Sequence, residues 1–244
     1  MKPFLVLQLR PETDASDGEY EALLDKGGLE AGATRRIRLD RDPIPADLSL
    51  DDYAGVIVGG GPGCVSDPED TKSDMDKRIE DAIFGLMPEI TDRDIPYMGC
   101  CYGIGILAAH LGAPVGKDRY SEPISAVECH VTDAGRTDPL LAGLPDDFLA
   151  FVGHKEAVQA LPEGCAHLLE SNSCPFQMIR HKDNVYATQF HPEADGAVFE
   201  QRIRIYKDHG YFDPADAARL IADCHAQSVT MPERILRRFV ERYR

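Results

Sequence analysis

The sequence predicts an α/β protein: a mostly parallel sheet covered by helices on both faces, followed by a helical C-terminal extension. Three observations carry this. Short, continuously apolar runs of strand length recur along the chain, segments of helical period alternate with them, and from Ala197 onward only the helical period remains.

The elements follow in order. Residues 3–9 (PFLVLQL) form a buried strand, 10–18 are polar and turn-like, and 19–31 read as a helix weakened at Gly27-Gly28. Arg36 to Leu39 is a second strand, and the two prolines of Asp42 to Ala46 mark a loop. Tyr53 to Val58 is a strong strand that runs straight into Gly59-Gly60-Gly61-Pro62-Gly63, where backbone shape outweighs side chains. Residues 68–87 carry Met75, Ile79, Ile83 and Met87 at spacings of four, an amphipathic helix. Ile95 to Met98 is a strand ending at Gly99, and Gly103 to Leu111 is a helix.

The stretch 122–192 is rich in strand patterns: Ser125 to Val131, Phe148 to Val152, His167 to Leu169, Phe176 to Arg180, and Val185 to Phe190. Asp213-Pro214 opens a later helix. Thr230-Met231-Pro232-Glu233 has capping-box spacing before a face made of Ile235, Leu236, Phe239, Val240 and Tyr243.

At 244 residues the chain is one large domain, or one with a small extension. Its 43% apolar and 28% charged residues exclude a disordered chain or a fibre. A net charge of −16 argues against nucleic acid, whose phosphates need a basic face, and against a polybasic membrane-surface role. No stretch nears the roughly 20 apolar residues of a membrane span, and the run Phe4 to Leu9 is too short for a secretory leader. Seven cysteines, an odd number without CxxC spacing, are then expected as reduced thiols in the cytoplasm.

Gly99-Cys100-Cys101-Tyr102-Gly103 sits between a strand and a helix, the G-x-nucleophile-x-G pattern with Cys101 at the nucleophile's place. A sharp strand-to-helix turn needs flanking positions without side chains. It raises the central thiol above the sheet, at a helix N-terminus whose dipole favours the thiolate. The same region, Gly103 to Ala108, also fits the dinucleotide fingerprint G-x-G-x-x-A. It lies some hundred residues into the chain, however, and no acidic residue closes a second strand after it.

A thiol nucleophile needs a base and an orienter. Gln189-Phe190-His191-Pro192-Glu193 follows a strand, so Cys101 and His191 are expected on one carboxyl edge of the sheet, with Glu193 fixing the imidazole. The amides of Gly61 and Tyr102 are candidates for an oxyanion hole. Cys129-His130 and His209 lack matched ligand spacing, so no zinc is expected. Cys100 reads as a small apolar residue filling the sheet rather than as half of a vicinal disulfide. The arginines at 234, 237, 238, 242 and 244 read as a solvated or internally paired face.

These pieces, in this order, resemble the class I (triad) glutamine amidotransferases, most nearly the glutaminase domain of GMP synthases. The matching stretches are GVIVGGGPGCVSDPE, IPYMGCCYGIGILAAHLGA and CPFQMIRHKDNVYATQFHPEA, over roughly residues 50–195. Phe151-Val152-Gly153-His154 stands where that family often has an aromatic residue and a histidine. The resemblance implies a flavodoxin-like three-layer sheet, with residues 1–195 as the catalytic domain and 196–244 as a helical extension packed on it. It implies Cys101 as nucleophile, His191 as general base and acid, Glu193 as orienter, and Gly61 and Tyr102 as oxyanion hole. The implied reaction is hydrolysis of the γ-amide of glutamine to glutamate and ammonia, with no cofactor and no metal.

Two departures bear on the substrate. The family's Gln two residues after the second elbow glycine is Gly105 here, and its His-Gly-Asp is His154-Lys155-Glu156. The expected small-molecule substrate is therefore glutamine or another γ-glutamyl compound, with a non-catalytic binding protein as the remaining alternative. The 51 residues after Glu193 are too few for a synthetase domain, so the expected partner is a separate ammonia-using synthetase, or none for a free-standing hydrolase.

Overall fold

In the computed structural model, which describes residues 1–208 and 212–244, the expected α/β layering is present. The strands are β1 (Phe4–Gln8), β2 (Thr34–Arg38), β3 (Gly55–Val58), β4 (Tyr97–Cys100), β5 (Val115–Gly116), β6 (Glu122–Val131), β7 (Asp147–His154), β8 (Ala157–Val158), β9 (Cys165–Ser171), β10 (Met178–His181) and β11 (Val185–Thr188). The helices are α1 (Thr13–Gly27), α2 (Asp74–Arg93), α3 (Tyr102–His110), α4 (Asp133–Arg136), α5 (Gly196–Tyr206), α6 (Ala217–His225) and α7 (Met231–Tyr243).

Nine strands form one sheet in the order β2-β1-β3-β4-β11-β10-β9-β6-β7. The pairs from β2 through β11 are parallel and those from β11 through β7 antiparallel, so only β10 and β6 run against the common direction. β5 and β8 make a separate small ribbon.

Successive side chains of β1 serve opposite faces, as the two-residue period of a strand demands. Phe4 and Val6 join α1 and α7 through Leu23, Ile235, Leu236 and Phe239. Leu5 and Leu7 join α2 and α3 through Ile79, Ile83, Met87, Ile104 and Leu107. This is why the run 3–9 is apolar without alternation. A smaller cluster ties Phe151 of β7 to Phe199 and Ile203 of α5 and Leu220 of α6.

Several boundaries differ from the sequence expectation. α1 starts at Thr13, inside the segment read as turn-like, because its buried face includes Ser16 and Glu19 and so hides its period. α2 spans Asp74–Arg93 rather than 68–87. Ser73 and Asp76 build a capping box that starts it, and it continues through Pro88. Thr230 makes no side-chain cap bond to α7, and Glu233 instead pairs with Lys26 at 3.5 Å. All seven cysteines are free thiols, and Cys100 is fully buried against the α1–α7 face. His209 lies outside the described residues. Among those described, no helix is long and apolar enough to cross a membrane.

Candidate active site

Cys101 stands between β4 and α3 with φ 54° and ψ −88°, a left-handed backbone that a non-glycine residue adopts only under constraint. Its N–H donates to Thr188 O at 2.7 Å, which pins the turn to the neighbouring β11. The flanking glycines are required by space. A Cβ on Gly99 would sit 2.9 Å from the backbone of Gly103 and 2.6 Å from the Tyr97 hydroxyl, and one on Gly103 would sit 3.2 Å from that hydroxyl.

Sheet register then brings the histidine. Cys100 pairs with Thr188, so the chain leaving β11 reaches His191 beside the elbow, at the carboxyl ends of parallel strands. Cys101 and His191 line one cavity of about 440 Å³, with Gly61 on its wall. His191 Nδ1 and Glu193 Oε1 are 2.9 Å apart, and both residues are buried. The His191 backbone N–H donates to Phe151 O, and its ring stands edge-on to Phe199.

Glu193 is not the end of the chain of contacts. Arg202 of α5 donates from Nη2 to Glu193 Oε1 at 2.6 Å and lies 3.6 Å from Glu19 Oε1 of α1. Glu19 also accepts from Arg10 Nε at 2.9 Å, from the Gly60 amide at 3.1 Å and from Gln8 Nε2 at 3.1 Å. Glu19 thus ties the glycine loop to the triad's support. The Gly59 amide is taken by Leu7 O, whereas the Gly61 amide has no partner among the described residues. The Tyr102 amide opens α3, where no preceding turn supplies an acceptor.

The charges of these groups follow from burial and neighbours. Burial pushes the Cys101 thiol up to about 12, against the pull of Arg10 and Arg202. The helix N-terminus therefore does not leave a standing thiolate, contrary to the sequence expectation. Burial also lowers the proton affinity of His191, with Glu193 opposing and Arg202 reinforcing, so the resting imidazole is neutral at pH 7. Burial alone would raise Glu193, but the charges of His191 and Arg202 hold it well below the usual carboxylate range.

On the other side of Cys101 lies a second cleft of about 390 Å³, bounded by Gly63, Tyr102, Gly105, His154, Glu156 and Gln189. Gln189 Nε2 approaches Cys101 Sγ at 4.0 Å. A Cβ on Gly105 would lie 3.3 Å from Glu156 Oε1, so the Glu156 carboxylate occupies the neighbourhood of the side chain that Gly105 lacks. Glu156 accepts from the Val65 and Ser66 amides at 2.8 and 2.9 Å, fixing the loop that follows the glycines. Tyr102 OH donates to Glu80 at 2.6 Å, and Lys72 grips the same carboxylate.

Glu122, His154 and Cys174 bring three ligand-type atoms within 4.8 Å of one another. His154 is already committed there: Nε2 faces Glu122 Oε2 and Nδ1 faces Glu156 O, both at 2.8 Å. With oxygen acceptors at both nitrogens, the ring has no lone pair directed at a metal. Glu122 in turn receives Gln177, Ser171 and Ser173.

Each candidate from the sequence thus borders the elbow or one of its two cavities. Sequence reading missed Arg10, Glu19 and Arg202. They sit on three separate segments, and no spacing rule links them. The one available signal was a glutamate on the core-facing side of a helix, which requires a buried partner.

A sequence profile described as Glutamine amidotransferase class-I matches residues 16–205. GMP synthase [glutamine-hydrolyzing] from Streptococcus pyogenes serotype M5 (strain Manfredo) is 31% identical over 152 residues, covering 59% of this chain and 25% of that protein. The chain therefore spans about a quarter of the length of the curated relatives it matches. A glutamine amidotransferase from Thermotoga maritima superposes over 100% of this chain and 98% of its own, at TM-score 0.79 and 19% identity. A glutamine amido transferase from Methylobacillus flagellatus covers 100% and 96%, at TM-score 0.70 and 21% identity. At such identities these two likenesses concern the fold alone.

Proposed function

The chain belongs to the class-I glutamine amidotransferase family, and we propose that it is a cysteine-dependent amidohydrolase that cleaves the γ-amide of glutamine through a Cys101-His191-Glu193 triad. The observation that carries this reading is the 2.9 Å contact between His191 and an ionised Glu193, beside a cysteine held at positive φ on the same cavity.

Ionised Glu193 can only accept, so His191 keeps its hydrogen on Nδ1 and presents the Nε2 lone pair. That nitrogen takes the proton of Cys101 as the sulfur attacks the amide carbon. Because thiol and imidazole are both neutral at rest, the ion pair forms only as the reaction proceeds. The Gly61 and Tyr102 amides receive the oxyanion, each donor contributing about 10²–10³ in rate in comparable sites. His191 then protonates the departing nitrogen, the C–N bond breaks and a glutamyl thioester remains. Water, deprotonated by His191, cleaves the C–S bond and regenerates the thiol.

Gly105 and Glu156 favour a second reading of the acyl pocket. With a carboxylate in place of the family amide, Glu156 is the group suited to an α-ammonium, and any γ-glutamyl compound presents one. When the substrate is glutamine, the ammonia calls for a separate synthetase as consumer. The relatives matched are glutamine-hydrolysing GMP synthases, most of whose length lies outside the match.

Replacing Cys101 by Ala should abolish release of ammonia from glutamine. Mass spectrometry of the wild-type chain with a glutamine-analogue electrophile should find one adduct, on Cys101. Retained hydrolysis in the Ala variant would end the mechanism.

A further inference from the structure

Cys101 separates two cavities of unlike chemistry. The acyl half of a substrate belongs with the oxyanion donors in the Gly105–Glu156 cleft. The leaving half must lie where His191 can protonate it, in the cavity that His191 lines. Ammonia is the smallest leaving group and needs no chamber. Yet this chamber encloses about 440 Å³ and carries the buried side chains of Arg10 and Arg202, with Phe199 and Ile124 as apolar walls.

Arg202 is 5% exposed, and its Nε and Nη1 have no hydrogen-bond partner. Buried guanidinium N–H groups left unmade are costly, and a carboxylate is their strongest complement. The Arg10 Nη2 approaches the same glycine as His191 Cε1: a Cβ on Gly60 would meet them at 2.8 and 2.6 Å. The two cations therefore flank the imidazole on the leaving-group side.

We propose that this cavity is a leaving-group subsite for an amine bearing a carboxylate, so that the preferred substrates are γ-glutamyl amides of amino acids. The inference rests on the triad reading above and narrows its substrate. The chemistry is self-consistent. Arg10 and Arg202 oppose formation of the His191 imidazolium, and a leaving group that brings its own negative charge offsets them at the step that needs the proton. Cys101 sulfur bonds to the γ-carbon, the C–N bond breaks, and the His191 proton goes to the amino acid nitrogen. Water then releases glutamate, so one water is consumed per peptide cleaved.

The test uses the full chain and three substrates: glutamine, γ-glutamylmethylamide and γ-glutamylglycine, with glutamate release measured. The glycine amide should exceed the methylamide in kcat/KM by about ten-fold or more, the worth of one charge-assisted contact. Arg10→Gln should bring the two within about two-fold of each other, while Arg10→Lys keeps a preference for the glycine amide. A merely structural role for Arg10 would lower both substrates together and leave their ratio unchanged. Should Arg10→Gln not fold, Ile124→Asp on half-buried β6 places a like charge in the cavity and should reduce the ratio selectively.

Equal turnover of the two amides by the wild-type chain, with glutamine cleaved, would overturn the subsite and spare the hydrolase. No turnover of any of the three, with no adduct on Cys101, would overturn the hydrolase and the subsite with it.

Discussion

Gly60 shows how little room the site leaves. Its amide is held by Glu19, and its missing Cβ is the space in which the His191 and Arg10 side chains end. Gly60→Ala must therefore push the imidazole or the guanidinium aside, and both are the free ends of side chains. The fold should survive with a melting temperature within a few degrees of wild type. Displacing a catalytic ring by an ångström costs about 10²-fold, so kcat/KM should fall by that order. Steady-state kinetics on a folded Gly60→Ala protein decide this, and activity within two-fold of wild type would mean that His191 is not placed by the glycine loop. Cys101, His191 and Glu193 were legible in the sequence because an elbow and a two-residue His–Glu spacing are local patterns. Arg202 was not, because its partner Glu193 lies across a turn and its second neighbour Glu19 comes from the first helix.

At the scale of elements, the C-terminal helix is the clearest test of how the extension is joined. Phe239 of α7 is fully buried, with its ring centroid 6.1 Å from Phe4 of β1 and 6.4 Å from Tyr186 of β11. Phe239→Ala should cost about 3–5 kcal/mol by opening a cavity under the parallel half of the sheet. Chemical denaturation would measure it. A loss below about 1 kcal/mol would mean that the helix is only laid on the surface. The apolar period of this helix was plain in the sequence, as were β1, β3 and the strand before the elbow, because each buries uninterrupted apolar residues. The start of α1 was not, for the opposite reason. Its inward face carries Glu19 and Ser16, which serve Arg10, Arg36 and the Gly60 amide, so polar residues stand where a packing helix would show leucines. The arginines of α7 are paired within the chain: Arg237 donates to Lys26 O and Asp25 O, and Arg238 to Leu140 O. The direction of β10 and β6 was hidden for another reason, since a short buried strand has the same pattern whether it runs with its neighbours or against them.

For the molecule as a whole, the buried ionisable groups set how it responds to acid. His191, His110 and His181 all bind protons less readily than the ordinary histidine value of 6.5, in each case chiefly through burial. The unfolded chain therefore binds more protons than the folded one below that value, and stability must fall as pH drops through 6.5. A second loss follows lower down. Glu193 is held below its usual 4.5 by His191 and Arg202 despite burial, and Glu122 by His154 and its hydroxyl and amide donors, again despite burial. Their contribution is complete above 4.5 and is lost as pH falls toward their folded values. Two groups work in the other direction: Asp138, raised by burial, and His130, raised chiefly by Asp147. His130 lies at a well-solvated edge where such pairs count for little, and Asp138 is one carboxylate against the two that are lowered. The denaturation midpoint should accordingly decline from pH 7.5 to 5.5 and again from 5.5 to 3.5. A midpoint that holds or rises on acidification would show that His191 and Glu193 are not buried in the charge states on which the thiol's activation depends.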